Sequence, residues 1–204
     1  MNYAACSTVP PGGNVTGFNV SEPTQAGKWV ELLKEIAPNV MRVAVLRDPT
    51  ISSGSAQLDA IKTAALSFGK EVRPIDVRDA GEIERALTQF AGVSNGGLIV
   101  TAGALANAHR DLIILLAARL RLPAVYFQRF FVAAGGLISY GVDFIEQYRQ
   151  AAGYVDRILK GEKPADLPVQ APAKYELAIN LNTARALGLN LPTTLLIRAD
   201  EVIE

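Results

Sequence analysis

Asp48, Thr50, Ser52 and Ser53 are four short polar side chains closely following an apolar run, Val43-Ala44-Val45-Leu46. Between a strand and a helix, such residues close the turn and cap the helix. The same placement lets a hydroxyl and the first-turn amides hold a ligand carboxylate. Both readings stay open, because these residue types favour turns and caps for local reasons. Thr101, ending the run Gly97-Leu98-Ile99-Val100, is ambiguous in the same way. Tyr126, Phe127 and Arg129 follow a further run and pair an aromatic wall with a guanidinium. That equipment suits an amino-acid-like or aromatic carboxylate, through stacking and a bidentate ion pair. The alternative is that the rings fill core and Arg129 is a surface charge. Tyr140 is a further candidate, but alternation along a strand leaves the direction of its ring undetermined.

The elements that must position these residues recur every 25 to 30 residues or so, an apolar strand-like segment followed by a helix-like one. The strand-like segments are Arg42 to Arg47, Glu71 to Val77, Gly97 to Thr101 and Leu122 to Tyr126, with a later one from Leu137 to Val142. The first helix is expected from Thr24 to Ala37, with Trp29, Leu32, Leu33 and Ile36 on one face and Pro38 at its end. The next runs from Ser53 to Phe68 with a serine cap. Asp79 with Glu82, and Asp143 with Glu146, have capping-box spacing before two more. Leu105 to Leu120 reads as one helix, apolar on more than one side and so buried on both. A strand from Tyr175 to Leu181 and a short helix capped by Asn182 close the series. The fold class is therefore α/β: a Rossmann-like parallel sheet with helices on both faces, which takes ligands beyond the carboxyl ends of its strands.

Other chemistries find little support. Twenty basic residues balance twenty acidic ones, so no overall field favours nucleic acid. His109 is the sole histidine and Cys6 the sole cysteine, too few for a metal cluster or a recognisable triad. Gly96-Gly97 precedes a strand, whereas a dinucleotide fingerprint follows the first strand. The expectation is a protein that is not an enzyme and uses no cofactor or metal.

Several segments in one order carry a resemblance: Pro11-Gly12-Gly13-Asn14-Val15-Thr16-Gly17-Phe18, the stretch Lys28 to Pro38, Arg121 to Tyr126, Ala134 to Asp143, Ala152 to Gly161, and the ending Arg198 to Glu204. Together they resemble the ABC transporter substrate-binding proteins of the TrpX-like group. The resemblance implies a type I periplasmic binding protein fold, two Rossmann-like lobes closing on a small molecule by hinge motion, with an ABC permease as partner. It places 19–130 and 174–204 in the second lobe, and 1–18 and 131–173 among partial first-lobe elements and hinge segments.

The match covers the carboxyl-terminal two-thirds of such a protein, so the strand from Leu137 and the helix from Phe144 are expected to lack neighbours. Self-association through 137–160 follows as an expectation. By resemblance the location is periplasmic. Met1 to Cys6 shows no basic region leading into a long apolar run, so expression of the chain as given points to the cytoplasm. The same sheet would also serve a sensory or regulatory ligand-binding domain, or a flavodoxin-like nucleotide-dependent enzyme.

Overall fold

The computed structural model describes residues 13–20, 22 and 24–204, with the side chains of Ser52 and Ser53 left aside. Cys6 and most of the turn expected at Pro10-Pro11-Gly12-Gly13 lie outside the described residues.

The chain opens with helix α1 (Gln25–Ile36), whose apolar face buries Trp29, Val30, Leu32, Leu33 and Ile36 before Pro38 ends it. Strand β1 (Arg42–Arg47) follows, then α2 (Ser52–Ser67), β2 (Glu71–Asp76), α3 (Ala80–Ala91) and β3 (Gly96–Val100). Helix α3 starts on the expected capping box: Asp79 accepts from the Glu82 amide and the Glu82 carboxylate accepts from the Arg78 amide, both at 2.8 Å.

The helix expected over 105–120 is two, α4 (Ala104–Ala108) and α5 (Arg110–Arg119), kinked at His109, whose φ of −110° and ψ of 23° leave the helical region. Burial on both sides of it is not found. Ile113, Leu116 and Ala117 are buried, whereas Leu115 is 60% exposed. Next come β4 (Ala124–Tyr126), the short α6 (Arg129–Ala133), β5 (Ile138–Val142) and α7 (Phe144–Leu159). The chain closes with β6 (Tyr175–Asn180), α8 (Leu181–Ala186), α9 (Thr193–Arg198) and β7 (Glu201–Ile203). Asn180, two residues earlier than the expected Asn182, caps α8 by accepting from the Thr183 amide.

Among the described residues seven strands form one sheet in the order β2-β1-β3-β4-β5-β6-β7. The pairs β1–β2, β1–β3, β3–β4, β4–β5 and β6–β7 are parallel. The chain steps from β1 out to β2 and returns across β1 to β3. Right-handed crossovers then send α2 and α3 to opposite faces. α1 packs on α2, and α3 on α5. Central strands are apolar on both sides: Val43, Ala44, Val45, Leu98, Ile99, Val100 and Val125 are all fully buried.

The chain divides into two compact units. The larger holds Pro23–Gly141 and Glu176–Glu204, the smaller Met1–Glu22 and Val142–Tyr175. The strand from Leu137, expected among first-lobe elements without neighbours, is instead interior. Ile138 and Ser139 pair with Val125 and Tyr126, β6 lies on the other side, and Leu137, Ile138 and Ser139 are buried. Residues 131–136, expected among first-lobe elements and hinge segments, include the end of α6, with Phe131 and Val132 buried in the larger unit. In the smaller unit Phe18 bridges to Gln170 and packs on Tyr154, while Thr16 donates to the Leu167 carbonyl.

Candidate functional site

Within the larger unit, the reversal of strand order between β1 and β3 defines a switch point, where open α/β sheets form a crevice beyond their carboxyl ends. Asp48 follows β1 and Thr101 follows β3. Both line a small hollow of about 10 Å³ with Arg47, Gly103 and Leu105.

Asp48 Oδ1 accepts from the Thr50 amide at 2.9 Å and the Thr50 hydroxyl at 2.6 Å, and these bonds hold its carboxyl below the usual carboxylate range. Asp48 and Thr50 thus build the turn that launches α2. The N-cap of α2 is Ile51, whose side chain offers no acceptor and makes no cap bond. The serine expected to cap this helix lies inside it, since α2 begins at Ser52. Its leading amides thus carry the positive end of a 16-residue helix dipole at the switch point. Thr101 is 1% exposed, and its amide and hydroxyl both donate to the Leu46 carbonyl, tying β3 to β1. Its role in this conformation is to hold the crevice walls together.

A second group gathers beyond β4 and β5. Tyr126 is 1% exposed, stacks on Phe131 at 5.0 Å, and has its phenol pushed well up by burial. It is core, with no open face for a ligand. Phe127 is 8% exposed and edge-on to Phe130 and Phe131, so it too is mostly packing. The aromatic wall expected from these two rings is therefore turned inward, because four aromatics within six residues satisfy one another first. Arg129 is 42% exposed. Its Nε and Nη2 donate to one Glu201 oxygen at 3.0 and 2.5 Å, and Glu176 stands 3.8 Å from Nε. The guanidinium sits beside acidic groups at the start of β6 and β7, so a ligand carboxylate would share it with them.

Tyr140 is half-buried, and its carbonyl accepts from Trp29 Nε1 at 2.7 Å and Gln25 Nε2 at 3.0 Å. Burial raises its phenol. One residue on, Gly141 lies so close to the Phe127 carbonyl that a β-carbon would overlap it.

Two clusters result, Asp48, Thr50 and Thr101 at β1–β3, and Phe127, Arg129 and Tyr140 at β4–β5. Gln25, Trp29 and Gly141 escaped the sequence reading. Signals for two of them were present: a buried tryptophan needs an acceptor for its N–H, and a glycine inside a strand marks a close backbone approach.

A larger cavity, about 450 Å³, lies at the opposite, amino-terminal edge of the strands, against the ends of α1, α3, α5 and α8. Its lining includes Asn39, Asn95, Arg121 and Asn190. Size alone favours it. Four helix carboxyl ends direct partial negative charge there, however, which suits an anionic ligand less than the leading end of α2 does.

The sequence pattern of the family described as ABC transporter substrate binding protein matches residues 6–203. A tyrosine-binding protein of Clostridioides difficile (strain R20291) is 24% identical over 179 residues, 88% of this chain and 51% of that protein. The chain thus spans about half the length of that relative.

The crystal structure of a conserved domain protein from Vibrio cholerae superposes with a TM-score of 0.85 at 27% identity, covering 96% of this chain and 65% of that one. An ABC domain from Streptococcus pneumonia, solved in complex with L-Trp, gives 0.83 at 26%, covering 95% and 66%. With nearly its whole length matched to one family pattern and this sheet order, the chain belongs to the ABC transporter substrate-binding protein family.

Proposed function

We propose that the larger unit is the second, ligand-holding lobe of an ABC importer's substrate-binding component. On this reading the smaller unit contributes part of the first lobe. The ligand is an aromatic or amino-acid-like carboxylate held at the carboxyl edge of the sheet, captured by equilibrium binding and presented to a membrane permease without being transformed. The observation that carries the reading is the switch point itself, where the leading end of α2, whose N-cap Ile51 makes no side-chain cap, stands beside Asp48 and Thr50. Arg129 and the half-buried Tyr140 supply a second polar cluster along the same edge. The names of the relatives support the ligand class, one being tyrosine-binding and another solved with L-Trp. A periplasmic location follows from the same reading.

Ser52, Ser53, Thr101, Tyr126 and Phe127 divide by role. The first two bring amides to the carboxylate, while the last three set the walls.

Binding proteins of this type hold ligand between two lobes, so one lobe supplies about half of the polar contacts. Isothermal titration with L-tyrosine, L-tryptophan and a panel of other amino acids tests this. A dissociation constant of about 1 mM for an aromatic amino acid, worth roughly 4 kcal/mol, is the expected result. Nanomolar affinity would contradict the half-site argument, and saturable binding of a basic amine lacking a carboxylate would contradict the ligand class. Self-association also belongs to this reading, and since β5 is interior it narrows from 137–160 to α7.

A further inference from the structure

Five helices among the described residues, α2, α5, α6, α7 and α8, end in the same turn. A left-handed residue follows the C-cap, and its amide and the next one bond back into the last turn. Glycine holds the left-handed position in four of them, as Gly69, Gly135, Gly161 and Gly188. In α5 that position is Arg121, at a φ of 52°, where a β-carbon crowds the following carbonyl. The Arg121 amide donates to the Ala118 carbonyl at 3.1 Å and the Leu122 amide to Ala117 at 2.9 Å, so the turn is unchanged and the residue type alone differs. Among the described residues one other non-glycine is left-handed, Asn95 at 60°.

Both residues line the cavity of about 450 Å³ at the amino edge of the strands. Backbone strain gathers where a ligand site uses it, and what Arg121 has over glycine is a side chain on this cavity. Its Nη2 lies 4.0 Å from where a β-carbon of Gly188 would stand, so the guanidinium reaches from the end of α5 toward the end of α8. Every lining residue belongs to the larger unit, and the volume falls within the range of about 300 to 1,000 Å³ common to small-molecule sites. The chain leaves and re-enters this unit at the other edge, beyond β5, ahead of β6 and ahead of α1, whose Gln25 and Trp29 reach the Tyr140 carbonyl. Arg121 carries the sole formal charge among the lining residues and opposes a cation, while the four helix carboxyl ends oppose an anion. An uncharged acceptor satisfies both. Asn39, Asn95 and Asn190 each offer a donor and an acceptor in one plane, the pattern that an amide completes. Val40, Leu122 and Leu189 add aliphatic surface, and no aromatic ring lines the cavity for a planar ligand to stack on.

We propose that this cavity is a second binding site, for an uncharged amide bearing an aliphatic side chain, with Arg121 donating to the amide carbonyl. It is separate from the carboxyl edge and does not rest on the ligand proposed for that edge.

Amide chemical-shift mapping of the labelled whole chain with N-acetyl-L-leucinamide tests it. Saturable shifts at Asn39, Asn95, Arg121 and Asn190, with a dissociation constant of about 1 mM, are the expected result. N-acetyl-L-leucine and L-leucinamide, each carrying one charge at about pH 6, bind at least about tenfold more weakly. Arg121→Gly relieves the strain and raises the melting temperature by about 2 to 4 °C, yet weakens the probe at least about tenfold. Arg121→Lys keeps the charge and the strain but loses the fork, so binding weakens while the melting temperature holds. No saturable shift up to about 20 mM, or shifts away from the cavity, overturns the site. Equal binding of either charged analogue overturns the ligand class. An Arg121→Gly chain that binds the probe like the parent overturns the role of the guanidinium, and one that melts lower overturns the strain argument.

Discussion

Replacing Gly141 by alanine puts a methyl group inside the van der Waals envelope of the Phe127 carbonyl oxygen, with the carbonyl carbon 3.0 Å away. Ordinary carbon–oxygen approach is about 3.3 Å or more, so β5 and the exit of β4 must separate by roughly an ångström. The obstacle is main chain at the end of two paired strands, and no side-chain rotation relieves it. Overpacking of this kind costs about 3 kcal/mol, and for a chain of this length that lowers the melting temperature by roughly 6 to 12 °C. The strain falls where Phe127 leads into Arg129, so ligand affinity falls with stability. Gly153→Ala is the matched control. It lies in the exposed body of α7 with open space around it, and gains about 0.5 to 1 kcal/mol from helix propensity. Urea unfolding followed by circular dichroism reads both variants. A loss below about 0.5 kcal/mol for Gly141→Ala would refute the close-approach argument, since surface changes alone lie in that range.

Arg129→Met leaves Glu176 and Glu201 beside the site without their guanidinium; titration should show at least about tenfold weaker binding of a carboxylate ligand, while stability falls by about 1 kcal/mol or less because the pair is substantially exposed. Asp79→Ala removes the N-cap of α3 and should cost about 1 kcal/mol in urea unfolding. The Asp143 carboxyl is held below its usual value by the Glu146 amide first and Lys174 second. Its contribution is complete above the unfolded value near pH 4 and is lost as pH falls through the lower folded value, so Asp143→Asn should destabilise at pH 7 and converge with the parent in acid. Trp29→Phe keeps an aromatic ring at a fully buried site but removes half of the indole and its donor to the Tyr140 carbonyl, and a loss of about 1 to 3 kcal/mol in thermal or urea unfolding is expected.

The strand–helix alternation carried the sheet, since fully buried strands are short apolar runs whichever face they show. Both N-caps, Asp79 and Asp143, were legible for the same local reason, a carboxylate three residues ahead of its amide, although Asp143 lacks the reciprocal half of a box because its own amide donates to the Lys174 carbonyl. What escaped was long-range. Nothing in Leu137-Ile138-Ser139-Tyr140-Gly141-Val142 tells which strand it pairs with, and the resemblance led to the expectation of a strand without neighbours, whereas β4 and β6 flank it. The polar groups after β1 and β3 could be placed at one edge from topology, but their partners could not: the Leu46 carbonyl that holds Thr101 is 55 residues away. Tyr126 and Phe127 show the limit most plainly. Their place at the carboxyl end of β4 is that of a ligand contact, yet Phe130 and Phe131 turn both rings inward. The kink at His109 also has no periodic signature, because the backbone ladder continues through it from Leu105 to Ile113.

Amide chemical-shift mapping of the isotopically labelled chain, titrated with L-tyrosine or L-tryptophan, asks most directly whether the carboxyl edge is the ligand side. The account predicts saturable shifts concentrated at Asp48 to Gly54, Thr101 to Leu105, Gln128 to Arg129 and Tyr140. Shifts concentrated instead at Asn39, Asn95, Arg121 and Asn190, around the cavity on the opposite edge, would contradict it.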